Sequence, residues 1–195
     1  MSPSPTDTAA GRTAPAAPAR AASTDPRAER VRIALIQAGF DVLMERPIGD
    51  IAVPDIVARA QVSRPVFYRH FTDRDDLVIA ALVQRMDEAV SAAVDAADAV
   101  RLVLRWADRH RVLYANIHPS YAAQQVSGHL REIIRPWCRE LAEAQRPRRD
   151  PRDLRDHEQF LVGGVLELVR SSASSVPVQR IDADRVMRLT AALVS

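Results

Sequence analysis

The stretch from Ile51 to Leu77, IAVPDIVARAQVSRPVFYRHFTDRDDL, leaves few folds open. Residues 53–60 and 64–71 each carry apolar side chains at helical spacing, yet both segments are too short to persist as isolated helices. Each must therefore pack on something else. Pro54 falls in the first turn of the first segment, where its missing N–H costs nothing, and Ile56 and Val57 face inward. Ser63 is placed to cap the second segment. Thr72 and Asp73 are alternative caps for a longer helix, whose positive N-terminal end suits Asp75 and Asp76. Short helix, tight turn, short helix and a capped third is the layout of a helix-turn-helix.

At about 100° per residue, Phe67 and Phe71 share one face of the second segment and dock it on its neighbours. Pro65, Val66 and Arg69 lie opposite, with Arg64 and Tyr68 nearer the edges. A helix inserted in a major groove needs this division of anchors behind and a reading face in front. Arg64 or Arg69 can pair with guanine N7 and O6, and Val66 can meet a thymine methyl. Tyr68 and His70 suit phosphate oxygens, which fix register without reading sequence. The argument rests on placement, because bulk charge is uninformative. Residues 27–77 hold eight Arg and eight acids, the chain has no Lys, and its net charge is +2. Between Val62 and Phe71, however, Arg64, Arg69 and His70 meet no acid. Pattern alone leaves a second reading open: a short amphipathic helix with a solvated arginine face.

The rest of the chain also reads as helix. Aromatics are 5% of 195 residues, Gly occurs six times, and Ala, Val, Leu and Arg dominate, which favours helix over strand. Residues 1–24 have no hydrophobic period and are expected to be a disordered arm, inert or touching DNA through Arg12 and Arg20. Asp25 and Pro26 open a first helix, with Val31, Leu35, Ala38 and Val42 on one stripe and Ile36, Phe40 and Leu43 beside it, ending near Pro47. The helix capped at Thr72 or Asp73 runs through Leu77, Ala81, Val83 and Met86 towards Ala96. Further helices are expected at about 98–116, 119–145, 151–174 and 182–194. The expected fold is all-α with about nine helices: a helix-turn-helix unit at 25–77, then a helical unit at 78–195. The single Cys138 excludes an internal disulfide and reads as a small buried hydrophobe. No apolar run reaches the roughly 20 residues needed to span a bilayer, and no signal peptide is visible, so a cytoplasmic protein is expected.

From about Arg30 to Leu77 the chain resembles the TetR (tetracycline-repressor-like) family of bacterial transcriptional regulators. The residues that carry the resemblance are Asp55-Ile56, Arg59-Ala60, Val62-Ser63, Tyr68-Arg69-His70-Phe71 and Arg74-Asp75-Asp76-Leu77. Upstream, Leu35-Ile36, Ala38-Gly39-Phe40 and Val42-Leu43 fit the first family helix. The resemblance implies DNA binding by Ser63, Arg64, Pro65, Val66, Tyr68, Arg69, His70, Thr72 and Arg74. Four departures stand out. Gln61 replaces the usual turn Gly, so a left-handed turn there carries strain of about 1 kcal/mol. Ile51-Ala52 replaces a Thr/Ser pair, removing a hydroxyl cap that Asp50 is placed to replace. Arg74 stands for the usual Lys, and Pro47-Ile48 for Gly and an aromatic.

The resemblance also implies a C-terminal ligand-binding and dimerisation domain, whose last two long helices form a four-helix interface with a second copy. Helical spacing offers Phe160, Leu161, Gly164, Val165, Leu168 and Val169 on one helix, and Ile181, Val186, Leu189, Ala192 and Leu193 on the next. The same stripes also suit an internal core. The pocket candidates are Trp106, His110, Tyr114, Tyr121, Gln125, His129 and Trp137, because a helical bundle holds a small molecule in an apolar site with few polar groups. His110, His118 and His129 lack the i, i+4 spacing of metal ligands, so neither metal nor cofactor is expected. Residues 146–155 alternate Arg with Asp and Pro and read as a solvated loop and helix start.

The leading expectation is a homodimeric repressor on a near-palindromic operator of double-stranded DNA, with half-sites one helical turn, ~34 Å, apart or a multiple of it. By the resemblance, an unknown small-molecule effector moves the fourth helix and weakens DNA binding. The alternative is a constitutive or protein-partner-controlled DNA binder, favoured by an interior filled with side chains. An enzyme is disfavoured, since no phosphate loop, nucleophile elbow or zinc motif appears.

Overall fold

Local capping decides where most of the helices begin. The computed structural model describes residues 25–145, 150–174 and 180–192; the expected arm at 1–24, residues 146–149 of the expected loop and Leu193 lie outside them. Asp25 accepts the Arg27 N–H at 2.9 Å and starts α1 (Pro26–Glu45), which buries Leu35, Ile36, Ala38, Gly39, Val42 and Leu43. A single 3-10 turn, Ile48–Asp50, leads to α2 (Val53–Arg59). Asp50 belongs to that turn and does not take over the cap of α2. Asp55 instead reaches back to accept the Ala52 N–H at 2.9 Å, half of a capping box, which compensates for the missing hydroxyl.

Helix α3 (Arg64–His70) is followed by α4 (Arg74–Val90). Asp73 is the cap of α4, accepting the Asp76 N–H at 2.8 Å, while Asp76 accepts the Thr72 N–H at 2.8 Å. α4 stops short of the expected Ala96. Asp95 accepts the Asp98 N–H at 2.7 Å and Asp98 takes the Val94 N–H at 3.3 Å, so a new cap interrupts the run. The helix expected at 98–116 is in fact two, α5 (Ala96–Arg109) and α6 (Arg111–Ile117), divided at His110 with φ −109° and ψ 26°. No Gly or Pro marks that break. The His110 ring is wedged between Phe40 and Trp106, at centroid distances of 5.7 and 4.9 Å.

The chain continues as α7 (Tyr121–Gln145), α8 (Pro151–Ser174) and α9 (Ala183–Ala192). Among the described residues there is no strand, and no helix is long and apolar enough to cross a membrane. α7 packs against α4, α5 and α8; α1 packs against α2, α4 and α6; α9 packs against α5. One continuous apolar core joins the first three helices to the others. α1 is tied to the rest at several points. Asn116 donates to the Leu43 carbonyl at 2.6 Å, and Arg85 donates to Gln37. At Gly39 an added Cβ would lie 2.0 Å from Leu77 Cδ2, so α1 and α4 meet where only a glycine leaves room.

The stripe expected on α8 divides in two, because one face of a helix can pack on α7 and the opposite face cannot. Leu161, Val165 and Val169 are buried in the chain's own core. Phe160 is 64% exposed, Gly164 is exposed, and Leu168 is half-buried beside Val186 and Leu189 of α9. Glu158, 8% exposed, is compensated by Arg139 at 3.0 Å and Arg135 at 3.8 Å from α7.

Candidate functional site

Phe67 is fully buried and Phe71 is 3% exposed, with ring centroids 5.9 Å apart. Burying a side chain of this size stabilises by about 1.5–3 kcal/mol, which pins a seven-residue helix too short to hold itself. Arg32 of α1 lies 5.8 Å over the Phe71 ring and closes the anchor from behind. Arg64, Pro65, Tyr68 and Arg69 are exposed on the outer side, with Tyr68 edge-on to Phe67 at 5.2 Å. Val66 and His70 are half-buried, so the outer face is narrower than the wheel implies. Ser63 occupies the cap position, but its carbonyl does the work, accepting from Val66 at 3.0 Å and Phe67 at 3.1 Å; its hydroxyl makes no cap bond.

The turn from α2 to α3 passes through Gln61 at φ 54°, the only non-glycine with positive φ among the described residues. The left-handed conformation anticipated from the missing glycine is present. It carries α3 across α2 at a cost of about 1 kcal/mol.

Charge is sorted by position. Behind α3, Arg59 reaches both Glu45 oxygens at 2.8 and 2.9 Å, and Arg46 pairs with Asp55 at 2.9 Å. Arg74 bonds Asp75 at 2.9 Å and the Ile51 carbonyl at 2.8 Å, so the guanidinium latches the start of α4 to the start of α2. A lysine could not make both bonds with the same geometry. Among the described residues Arg64 and Arg69 make no ion pair, which leaves them available to an external anion. Burial holds His70 below its ordinary value, with Arg69 and Arg32 adding to the effect and Glu29 opposing it. At neutral pH it is an uncharged donor–acceptor. Thr72 is exposed with its N–H committed to Asp76. This surface can place two cations, a phenol and a neutral imidazole against phosphates and base edges.

Between α4, α5, α6 and α7 lies a narrow apolar recess, lined by Met86, Val90, Val103, Trp106, Tyr114 and Leu130 among others. Its free volume is about 10 Å³, room for one water at most. The Tyr114 hydroxyl is buried without a hydrogen-bond partner, and burial raises its pKa. Of the expected pocket residues, Trp106 and Tyr114 line this recess and His110 stands beside it. The other four do not. Tyr121 is 61% exposed, Gln125 is exposed, His129 bonds Asp87 at 3.1 Å, and Trp137 packs on the core elsewhere. Met86, Val90, Val103 and Leu130 were missed because aliphatic lining and aliphatic core have the same sequence pattern. Cys138 is fully buried and its thiol is pushed up to about 12 by burial and by Glu158, which makes it unreactive.

Residues 35–81 match the profile of a family described as bacterial regulatory proteins, tetR family. An HTH-type transcriptional repressor of Mycobacterium tuberculosis is 30% identical over 123 residues, 63% of this chain and 62% of that protein. The HTH-type transcriptional activator FasR of Mycolicibacterium smegmatis is 36% identical over 81 residues, 42% of this chain and 36% of the relative. The chain thus spans less than two thirds of the length of either relative. A solved TetR transcriptional regulator of Streptococcus agalactiae shares the fold, with a TM-score of 0.61 over 87% of this chain and 96% of that one, at 16% identity.

Proposed function

We propose that the chain, whose residues 35–81 match the tetR family of bacterial regulatory proteins, is a homodimeric transcriptional regulator that grips a near-palindromic operator through α3 and is released by a small-molecule effector. One observation carries the DNA reading: α3 and its C-cap turn Phe67 and Phe71 inward, while Tyr68 stands exposed and Arg64 and Arg69 are exposed and free of ion pairs among the described residues. Arg64 and Arg69 read base edges, and Ser63, Tyr68, His70 and Thr72 hold phosphates. Arg74 acts behind them as a latch. The relatives it matches are transcriptional regulators, one a repressor and one an activator, and the repressor matches the longer stretch, which supports repression. The exposed Phe160, Gly164 and Leu189, with the half-buried Leu168 and Val186 between them, support pairing of α8 and α9 with a second copy.

A second reading, control by a protein partner or none, is favoured by the filled state of the recess. The two differ in whether any small molecule stabilises the protein and weakens its hold on DNA.

The test is a gel shift with the DNA adjoining the protein's own gene, at several salt concentrations. Specific retardation that weakens as salt rises is expected. Tyr68→Ala should weaken it about tenfold or more while sedimentation still reports a dimer. Unchanged retardation by the variant would remove α3 from the interface.

A further inference from the structure

A second space adjoins the apolar recess. An open cleft of about 550 Å³ lies between α1, α4 and α5, and Ala89 and Trp106 line both spaces. The half-buried Trp106 indole therefore stands between the narrow apolar recess and the open cleft. It is held by ring contacts to His110 at 4.9 Å and Tyr114 at 6.2 Å, which a modest rotation can give up.

The two spaces differ in chemistry. The cleft is lined by Arg85, Arg105 and Arg109 against one acid, Glu88. Arg85 is committed to Glu88 at 3.1 Å and lies 5.4 Å over Phe40, and Arg105 reaches Asp184 at 3.1 Å. Arg109 is exposed and makes no ion pair among the described residues. The recess behind Trp106 has no charged lining and one polar group, the buried Tyr114 hydroxyl without a partner. His110 reports the same field: besides burial, Arg109 and Arg85 both disfavour its protonation.

We propose that cleft and recess together bind a small amphipathic anion, an apolar body ending in a carboxylate, with Arg109 holding the carboxylate and Trp106 swinging aside to admit the body. A cation is repelled at the mouth, and a neutral analogue forgoes the charge-assisted bond to the guanidinium. Met86, unbranched and adaptable, gives way as the body enters. The site also touches the DNA-binding unit, because Arg85 and His110 both rest on Phe40 of α1. Binding rests on the cleft and recess; its regulatory consequence rests on the operator reading above.

The experiment uses the full chain carrying Trp137→Phe, which leaves Trp106 as the sole indole of the two. Hexanoate, decanoate and tetradecanoate are titrated beside decanol and decyltrimethylammonium, with calorimetry and indole fluorescence as readouts. At least one carboxylate should bind with a shift in Trp106 emission, about tenfold more tightly than decanol, and the cation should not bind. Arg109→Ala should abolish the advantage of carboxylate over alcohol, and Arg109→Lys should restore most of it. Equal affinity for decanoate and decanol, no binding by any carboxylate, or indifference to Arg109→Ala overturns the proposal. Gel shifts with the same probes separate the two claims. A carboxylate that binds without releasing DNA leaves the site standing and removes its effector role. A protein that retards no DNA removes the function proposed above and leaves the binding result intact.

Discussion

The helix-turn-helix and the interior of the bundle use aromatic residues in opposite ways. In α3 and its C-cap, Phe67 and Phe71 are buried and every other large side chain is turned out or half out, so anchor and outer surface alternate along one short segment. Around the recess, Trp106 and Tyr114 sit among Met, Val and Leu on four different helices, and nothing in their spacing separates lining from core. A surface that meets a polyanion must differ in polarity from the face that docks it. An interior site for an apolar body need not differ from the core it interrupts. The first kind of site is written in one segment; the second is assembled.

The largest test of this contrast is Phe67→Ala. Removing a fully buried phenyl should cost about 3–5 kcal/mol in urea denaturation, whereas Phe160→Ala, at an exposed site, should change protomer stability by about 0.5 kcal/mol or less. Comparable losses at both positions would mean that the two surfaces are not distinguished as described. Next in size is Gly39→Ala, which places a Cβ against the buried Leu77 where α1 meets α4. The expected loss is about 1–3 kcal/mol by the same measurement, and a neutral result would show that Leu77 has room to move.

Gln61→Gly should act in the other direction. Relieving a left-handed non-glycine stabilises by about 1 kcal/mol or somewhat less, since glycine adds freedom to the unfolded chain. A destabilised variant would mean that the Gln61 side chain contributes more than its backbone costs. The smallest effect is on pH. His70 in one region and His110 in the other both have pKa values lowered in the fold, chiefly by burial. Their contribution is fully present above the unfolded value near 6.5 and is lost as pH falls from there through the lower folded values. Midpoints of denaturation should therefore drop as pH falls below 6.5, less so in His110→Asn; an unchanged slope in that variant would assign the effect elsewhere.

Much of the architecture was legible from local signals. Asp25 before Pro26, Asp73 before the acidic pair, and Pro151 each mark a helix start that the structure places within a residue. Even the strained turn announced itself through the glycine that Gln61 replaces. Two breaks were not anticipated. The Asp95–Asp98 cap between α4 and α5 carries a readable signature that the surrounding alanines and valines obscured. The division at His110 carries none, because it is fixed by rings on α1 and α5. Arg74 was expected at the DNA surface from its place in the motif, yet its guanidinium is engaged with a carbonyl 23 residues away.

The sequence by itself determined that this chain is helical, where the short helix α3 lies, and that Arg64, Tyr68 and Arg69 turn outward, since periodicity, caps and polarity act over a few residues. Only the tertiary structure decided which arginines are neutralised and which remain free, how the stripe on α8 divides between the core and an outer face, and that Trp106 separates an apolar recess from a cationic cleft. Those properties arise where helices distant in the chain meet, and contact between distant segments leaves no periodic trace in any one of them.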